Sequence, residues 1–94
     1  MRAVRVVRHG SPRKAIEVRD DVPVPDPGPG KVRVAVAAAS LNFGDIARCR
    51  GGVAAVQPEL PFTLGMDVAG VVDAVGEGID AGIVGRRVVG MADM

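Results

Sequence analysis

The chain has 94 residues, a length that allows one small domain, and its twelve basic and eleven acidic side chains nearly balance. Two Phe and no Trp or Tyr leave few platforms on which bases could stack, and with a net charge of +1 this argues against nucleic-acid binding. A single cysteine, Cys49, excludes an internal disulfide, and no apolar run approaches the roughly 18 residues of a membrane span, so we expect a cytoplasmic protein.

The N-terminal part of the chain has the pattern of short strands. Residues 2–8 and 14–19 alternate apolar and polar side chains, which predicts two strands joined by a turn at His9–Pro12. Residues 21–30 are rich in proline and glycine. Because proline fixes φ and lacks an N–H donor, we predict an extended connector there.

Residues 31–40 show the most regular alternation in the chain. Val32, Val34 and Val36 fall on one face of the predicted strand, and polar or small side chains fall on the other. Such alternation predicts that the valine face is buried.

The period changes after this strand. In residues 42–50 the apolar positions recur every three to four residues, which predicts a short helix. Asn42 is a favourable N-cap and Asp45 a favourable charge in the first turn. Gly51–Gly52 is expected to end the helix.

The last third of the chain returns to strands. Residues 53–63 are predicted to form a loop, because prolines interrupt them. Residues 64–75 and 86–91 are predicted strands, and the glycines inside the first of these indicate a bend or a close approach of another backbone.

Together these elements predict a mainly β fold, a small and partly open β-barrel with one short helix. A dinucleotide-binding turn requires a Gly-rich segment between a strand and a long helix. No long helix follows the glycines at 65–78, so we interpret them as bends and turns.

Three stretches at characteristic spacing carry a resemblance. They are VPVPDPGPGKVRVAVAAASLN at 22–42, SLNFGDI at 40–46 and PFTLGMDVAGVVDAVGEG at 61–78, followed by GRRVVGM at 85–91. Together they resemble the GroES-like N-terminal domain of medium-chain dehydrogenases and reductases, in the zinc-free branch similar to quinone oxidoreductases. The resemblance implies that residues 1–94 are the substrate-side domain and that a Rossmann cofactor domain would lie beyond Met94.

The resemblance also bears on zinc. In the related zinc alcohol dehydrogenases, a cysteine ligand stands at the position of Asn42 and a histidine ligand at the position of Met66. Catalytic zinc is bound by thiolate, imidazole or carboxylate groups, and an amide and a thioether are poor replacements. We therefore predict a zinc-independent protein.

By the same resemblance, the function is that of an NADPH-dependent oxidoreductase that reduces quinones, enones or related α,β-unsaturated carbonyls. Asn42 is implied to be catalytic, because its amide can donate and accept hydrogen bonds beside the substrate. Phe43, Asp45 and Asp67 are implied to line the substrate or cofactor cleft. Many relatives have a Tyr after the helix, whereas residues 51–57 contain none, which leaves the proton donor unassigned.

Each of these residues also has a purely structural interpretation, which the sequence leaves open. Asn42 can serve only as a cap and Asp45 only as a first-turn charge. Asp67 can be a paired core carboxylate, Met66 a filler of the core, and Cys49 an inert helix residue.

A second hypothesis for the whole chain is a free-standing small β-barrel that binds a partner and catalyses nothing. The two hypotheses differ in whether the encoded chain continues beyond Met94. In either case we expect no turnover from these 94 residues alone, because hydride transfer needs a held nicotinamide. Surface that would pack on a further domain favours self-association, so a homo-oligomer is expected.

Overall fold

The structure is a computed structural model that describes residues 1–51 and 59–92. Its strands are β1 (Ala3–Val6), β2 (Ile16–Arg19), β3 (Val32–Ala38), β4 (Phe62–Thr63), β5 (Asp67–Val75) and β6 (Arg87–Met91). Its helices are α1 (Pro12–Ala15), α2 (Phe43–Arg50) and a 3₁₀ turn at Ala81–Ile83. The elements fall into two compact units, the first drawn from Met1–Pro23 and Leu41–Met66 and the second from Val24–Ser40 and Asp67–Ala92.

The first unit is built on a three-stranded antiparallel sheet in which β1 lies between β2 and β4. Val6 of β1 is buried with Ala15, Cys49 and Phe62 in a small core. Since Cys49 comes from α2, the buried side of that helix packs on this core.

Helix α1 is a single turn that the sequence pattern did not indicate. The N–H groups of Lys14 and Ala15 both donate to the Ser11 carbonyl at 2.9 Å. Pro12 occupies the start of this turn, where its fixed φ suits a helix and its missing N–H costs nothing. The second predicted strand therefore begins only at Ile16.

The second unit is a three-stranded antiparallel sheet with β5 in the centre between β3 and β6. Gly70 of β5 lies where β3 passes very closely. A Cβ atom at this position would lie 2.1 Å from the Ala35 carbonyl oxygen. The close backbone approach predicted for a glycine inside this strand is thus confirmed.

The proline-rich connector has no regular secondary structure, as its composition predicted. Its end is tied to the second unit by a hydrogen bond of 2.8 Å from the Gly30 N–H to the Glu77 carbonyl. Arg33 of β3 also holds it, since Nη1 donates to the Pro25 carbonyl at 3.2 Å while Nε donates to Asp73 at 2.8 Å.

The prediction that the valines of β3 form one buried face is wrong for this chain. Val36 is 57% exposed and Val32 is also exposed, whereas Val34 is half-buried. The pairing of β3 with β5 shifts register after Arg33 and after Val36, so alternate residues of β3 do not keep one environment. The buried valine of this sheet is Val72 of β5.

The bounds predicted for the other strands differ less from those in the structure. The predicted strand at 86–91 is present as β6, and the one at 64–75 begins at Asp67. The loop predicted over 53–63 contains the short strand β4, and residues 52–58 of this region lie outside the described part of the chain. Among the residues that the structure describes, no helix has both the length and the apolar character needed to cross a bilayer.

Candidate functional site

Asn42 lies at the N-cap of α2, and the predicted helix over 42–50 is confirmed. Its backbone is extended, and its N–H donates to Asp45 Oδ2 at 3.0 Å. The Asp45 N–H in turn donates to the Asn42 carbonyl at 3.0 Å. This reciprocal pair fixes the start of the helix, because it satisfies backbone groups that the helix itself leaves without partners.

Asp45 is buried, with 5% of its surface exposed. Oδ2 takes part in the cap, whereas no donor reaches Oδ1 among the described residues. A buried acceptor without a donor costs about 1–3 kcal/mol, so Asp45 is held at some expense to stability. The first-turn role is therefore present, and the cleft role stays a prediction.

Cys49 lies one helical turn after Asp45 on the same face of α2 and is buried. Burial raises the pKa of the Cys49 thiol, the Asp45 carboxylate raises it further, and the Arg48 guanidinium opposes both. A thiol with a raised pKa stays protonated near neutral pH and is a poor nucleophile. These properties support the interpretation of Cys49 as an inert helix residue.

Met66 packs against the first turn of α2. A Cβ atom on Gly44 would lie 2.7 Å from the Met66 sulfur, so the glycine leaves the space that the thioether occupies. Met66 is half-buried, in agreement with a packing role. Met66 therefore lies beside the first turn of α2, the helix that Asn42 caps.

Arg48 is a residue of this region that the sequence patterns did not reveal. Its guanidinium lies 4.9 Å from the centre of the Phe62 ring, and Nη1 donates to the Gly65 carbonyl at 3.2 Å. The signal available in the sequence was its position four residues after Gly44, which places both on one side of the helix.

Phe43 begins α2 and is 87% exposed, and Leu41 just before the cap is 94% exposed. The half-buried Asn42 is therefore flanked along the chain by two exposed apolar side chains. The pair therefore places exposed apolar surface beside a half-buried polar residue.

Asp67 is the first residue of β5 and belongs to the second unit. The Ser40 hydroxyl donates a hydrogen bond to Asp67 Oδ1. Both lie in a groove of about 520 Å³ whose other lining residues are Ala38, Ala39, Val68, Ala69, Val89, Gly90 and Met91. The carboxylate is thus paired, as one of the two sequence interpretations required, in surroundings that are otherwise apolar.

The structure brings Asn42, Phe43 and Asp45 together on the first turn of α2, and it places Asp67 with Ser40 in the other unit. Within residues 1–51 and 59–92, no three His, Cys, Asp or Glu side chains are grouped so as to hold a metal ion. Residues 52–57, among which the sequence contains no Tyr, lie outside the described residues.

Residues 28–93 match the family described as the alcohol dehydrogenase GroES-like domain. The quinone oxidoreductase of Lama guanicoe is 41% identical over 88 residues, which cover 94% of this chain and 26% of that protein. This chain therefore spans about a quarter of the length of the curated relatives that it matches.

Solved structures give the same result. A mycobacterial quinone oxidoreductase superposes with a TM-score of 0.83 at 36% identity, covering 95% of this chain and 27% of the other. The Escherichia coli quinone oxidoreductase, solved in complex with NADPH, superposes with a TM-score of 0.80 at 30% identity, covering 95% and 26%. The predicted GroES-like, mainly β fold is confirmed by these similarities.

Proposed function

Because this chain belongs to the alcohol dehydrogenase GroES-like domain family, we propose that it forms the substrate-side part of an NADPH-dependent, zinc-independent oxidoreductase. Its substrates are quinones, enones or related α,β-unsaturated carbonyls. The observation that carries the proposal is Asn42, an amide held at the start of α2 between two exposed apolar side chains. The names of the relatives, quinone oxidoreductases, support this substrate class.

The proposed role of Asn42 is to stabilise charge. A carbonyl oxygen becomes more negative as hydride adds to a quinone or an enone, and a fixed amide N–H beside it lowers the barrier. The hydrogen bonds between Asn42 and Asp45 hold the backbone from which this amide projects. Phe43 supplies exposed apolar surface against which a flat conjugated substrate can lie.

Of the proposed cofactor, the described residues suit the nicotinamide end. When bound, reduced nicotinamide supplies the hydride, and Asn42 and Phe43 are the groups of this chain suited to hold that ring and the substrate near it. No Gly-rich turn leading into a long helix occurs among the described residues, so this part of the chain offers no cradle for the phosphates.

Zinc fits this site poorly. Asn42 would present an amide, and the Met66 thioether is packed against Gly44. Neither group is a usual ligand of catalytic zinc, which supports a reaction that proceeds by hydrogen bonding and orientation alone.

The test begins with the intact product of the gene, whose mass establishes how far the encoded chain extends. Oxidation of NADPH is then followed with menadione, with cyclohexenone and with neither, and NADH serves as the alternative donor. We expect turnover that survives dialysis against a chelator. Loss of turnover on chelation with recovery on adding zinc would overturn the zinc-independent mechanism.

A non-catalytic β module that binds a partner is the second candidate. Val89 and Met91 on β6 favour it, because they are 83% and 76% exposed, which is typical of surface that another molecule covers. A gene product of 9.6 kDa that oxidises no reduced nicotinamide would favour this candidate. For both candidates we propose a cytoplasmic location and a homo-oligomer.

A further inference from the structure

Helix α2 is attached to the segment 62–66 at two successive turns. In the first turn Gly44 contacts the Met66 sulfur, since a Cβ atom added to Gly44 would lie 2.7 Å from that sulfur. In the second turn the Arg48 guanidinium stacks over Phe62 at 4.9 Å and donates to the Gly65 carbonyl at 3.2 Å. Arg48 thus makes one cation–π contact and one hydrogen bond with the same short segment.

These contacts restrict the helix in two ways. Since Gly65 and Met66 are adjacent, the two attachments together limit both sliding of α2 along the segment and rotation about its own axis. A helix behaves as a rigid rod over two turns, so a constraint at Arg48 also acts at Asn42. The cap contacts of Asn42 with Asp45 lie within the helix and do not provide this constraint.

We infer that Arg48 is a positioning residue for Asn42, acting through α2 and the segment 62–66. The inference rests on the proposed function, in which Asn42 contacts the substrate. Arginine suits this task better than lysine, because its planar guanidinium can stack on a ring face while an edge N–H donates to a carbonyl.

The test compares variants of the full-length gene product. Arg48→Ala is expected to lower kcat by roughly tenfold or more, because small misplacements of a reacting group have large effects on rate. Arg48→Lys keeps the cation without the planar fork and is expected to stay closer to Arg48→Ala than to the wild type. Wild-type kcat in either variant would overturn the inference.

Two arginines serve as controls. Arg50→Ala removes an exposed charge from the same helix, and Arg33→Ala removes the hydrogen bonds to Asp73 and Pro25 in the second unit. Both controls are expected to keep kcat within about twofold of the wild type. If Arg33→Ala lowered kcat as much as Arg48→Ala at an equal loss of thermal stability, Arg48 would be only structural.

A second readout separates this inference from the proposed function. The side-chain amide signals of Asn42 in a ¹H–¹⁵N spectrum are expected to move in Arg48→Ala and to stay in place in Arg50→Ala. A wild-type protein without any NADPH oxidation would refute the proposed function, and the amide signals would then decide about Arg48 alone. Unmoved signals in Arg48→Ala would overturn the positioning role whatever the activity.

Discussion

Asn42 combines a structural and a proposed catalytic duty, and an alanine substitution cannot separate them because it removes both. Besides the backbone groups that bond to Asp45, the side chain of Asn42 takes part in the capping box at the start of α2, and the amide of the same side chain is the group assigned to the substrate. A residue that caps as well as Asn but lacks its amide distinguishes the two duties. Serine meets this condition, since it ranks with Asn at N-caps.

Asn42→Ser is therefore expected to keep the free energy of unfolding within about 0.5 kcal/mol while kcat falls by roughly 100-fold, the usual effect of losing one donor to a developing oxyanion. Asn42→Ala should show the same loss of rate together with a loss of about 1 kcal/mol in stability. Chemical denaturation and NADPH oxidation measure the two quantities. Full activity in Asn42→Ser would restrict Asn42 to capping.

The raised pKa of the Cys49 thiol leads us to predict that the stability of the protein depends on pH. Burial first, and then the Asp45 carboxylate, raise its pKa in the folded protein. Between the unfolded thiol value of about 8.5 and the raised folded value, the unfolded chain loses a proton that the folded chain keeps. Stability is thus fully present below the unfolded value and decreases as the pH rises through this window.

The measurement is the free energy of unfolding from neutral to alkaline pH for the wild type and for Cys49→Ala. The wild type should lose up to about 1.4 kcal/mol per pH unit in the window, and the variant should lack this component of the slope. Identical slopes in the two proteins would mean that the thiol does not titrate differently on folding.

The elements that the sequence predicted best are those that neighbouring residues determine. The cap at Asn42, the helix after it and its end at Gly51 follow from local chemistry, and Gly51 indeed ends α2 with a left-handed backbone. The strand β4 at Phe62–Thr63 was missed, because it exists only through pairing with β1, whose sequence lies far away. The Arg48 contacts were missed for the same reason.

The prediction of a buried face on β3 was wrong for a related reason. An alternating pattern states that a strand has two different faces, but the burial of one face depends on what covers it and on the register with its neighbours. The register shifts of β3 and the exposure of Val36 could not be read from the valine spacing. Gly70 was a more reliable indicator, since a glycine inside a strand weakens the strand and often marks the close approach of another backbone.

Gly70→Ala is accordingly expected to destabilise the protein by about 3 kcal/mol, because the new Cβ would meet the rigid backbone at Ala35 rather than a movable side chain. Gly90 on the adjacent strand β6 is the matched control, since no atom lies within 4 Å of its Cβ position. Gly90→Ala should stay within about 0.5 kcal/mol of the wild type. Denaturant midpoints measured under the same conditions provide the comparison, and equal midpoints for both variants would refute the close approach.

Residues 28–93 match the family domain, and the chain spans only about a quarter of the length of its quinone oxidoreductase relatives. The large exposed side chains Val89 and Met91 alternate on one face of β6, with Gly90 between them. Because isolated apolar side chains are ordinary on a surface but adjacent pairs favour association, this face is where we expect copies of the chain to contact each other.

Replacing both Val89 and Met91 by Ser is therefore expected to weaken self-association by roughly tenfold or more, since each apolar side chain buried in a contact contributes on the order of 1 kcal/mol. The stability of the individual chain should change by no more than about 0.5 kcal/mol, because both side chains are exposed. Val18→Ser, at an exposed valine of β2 in the first unit, controls for the loss of apolar surface in general. Sedimentation velocity over a range of concentrations measures the association. If Val18→Ser weakened it as strongly as the double variant, the contact would not be specific to the β6 face.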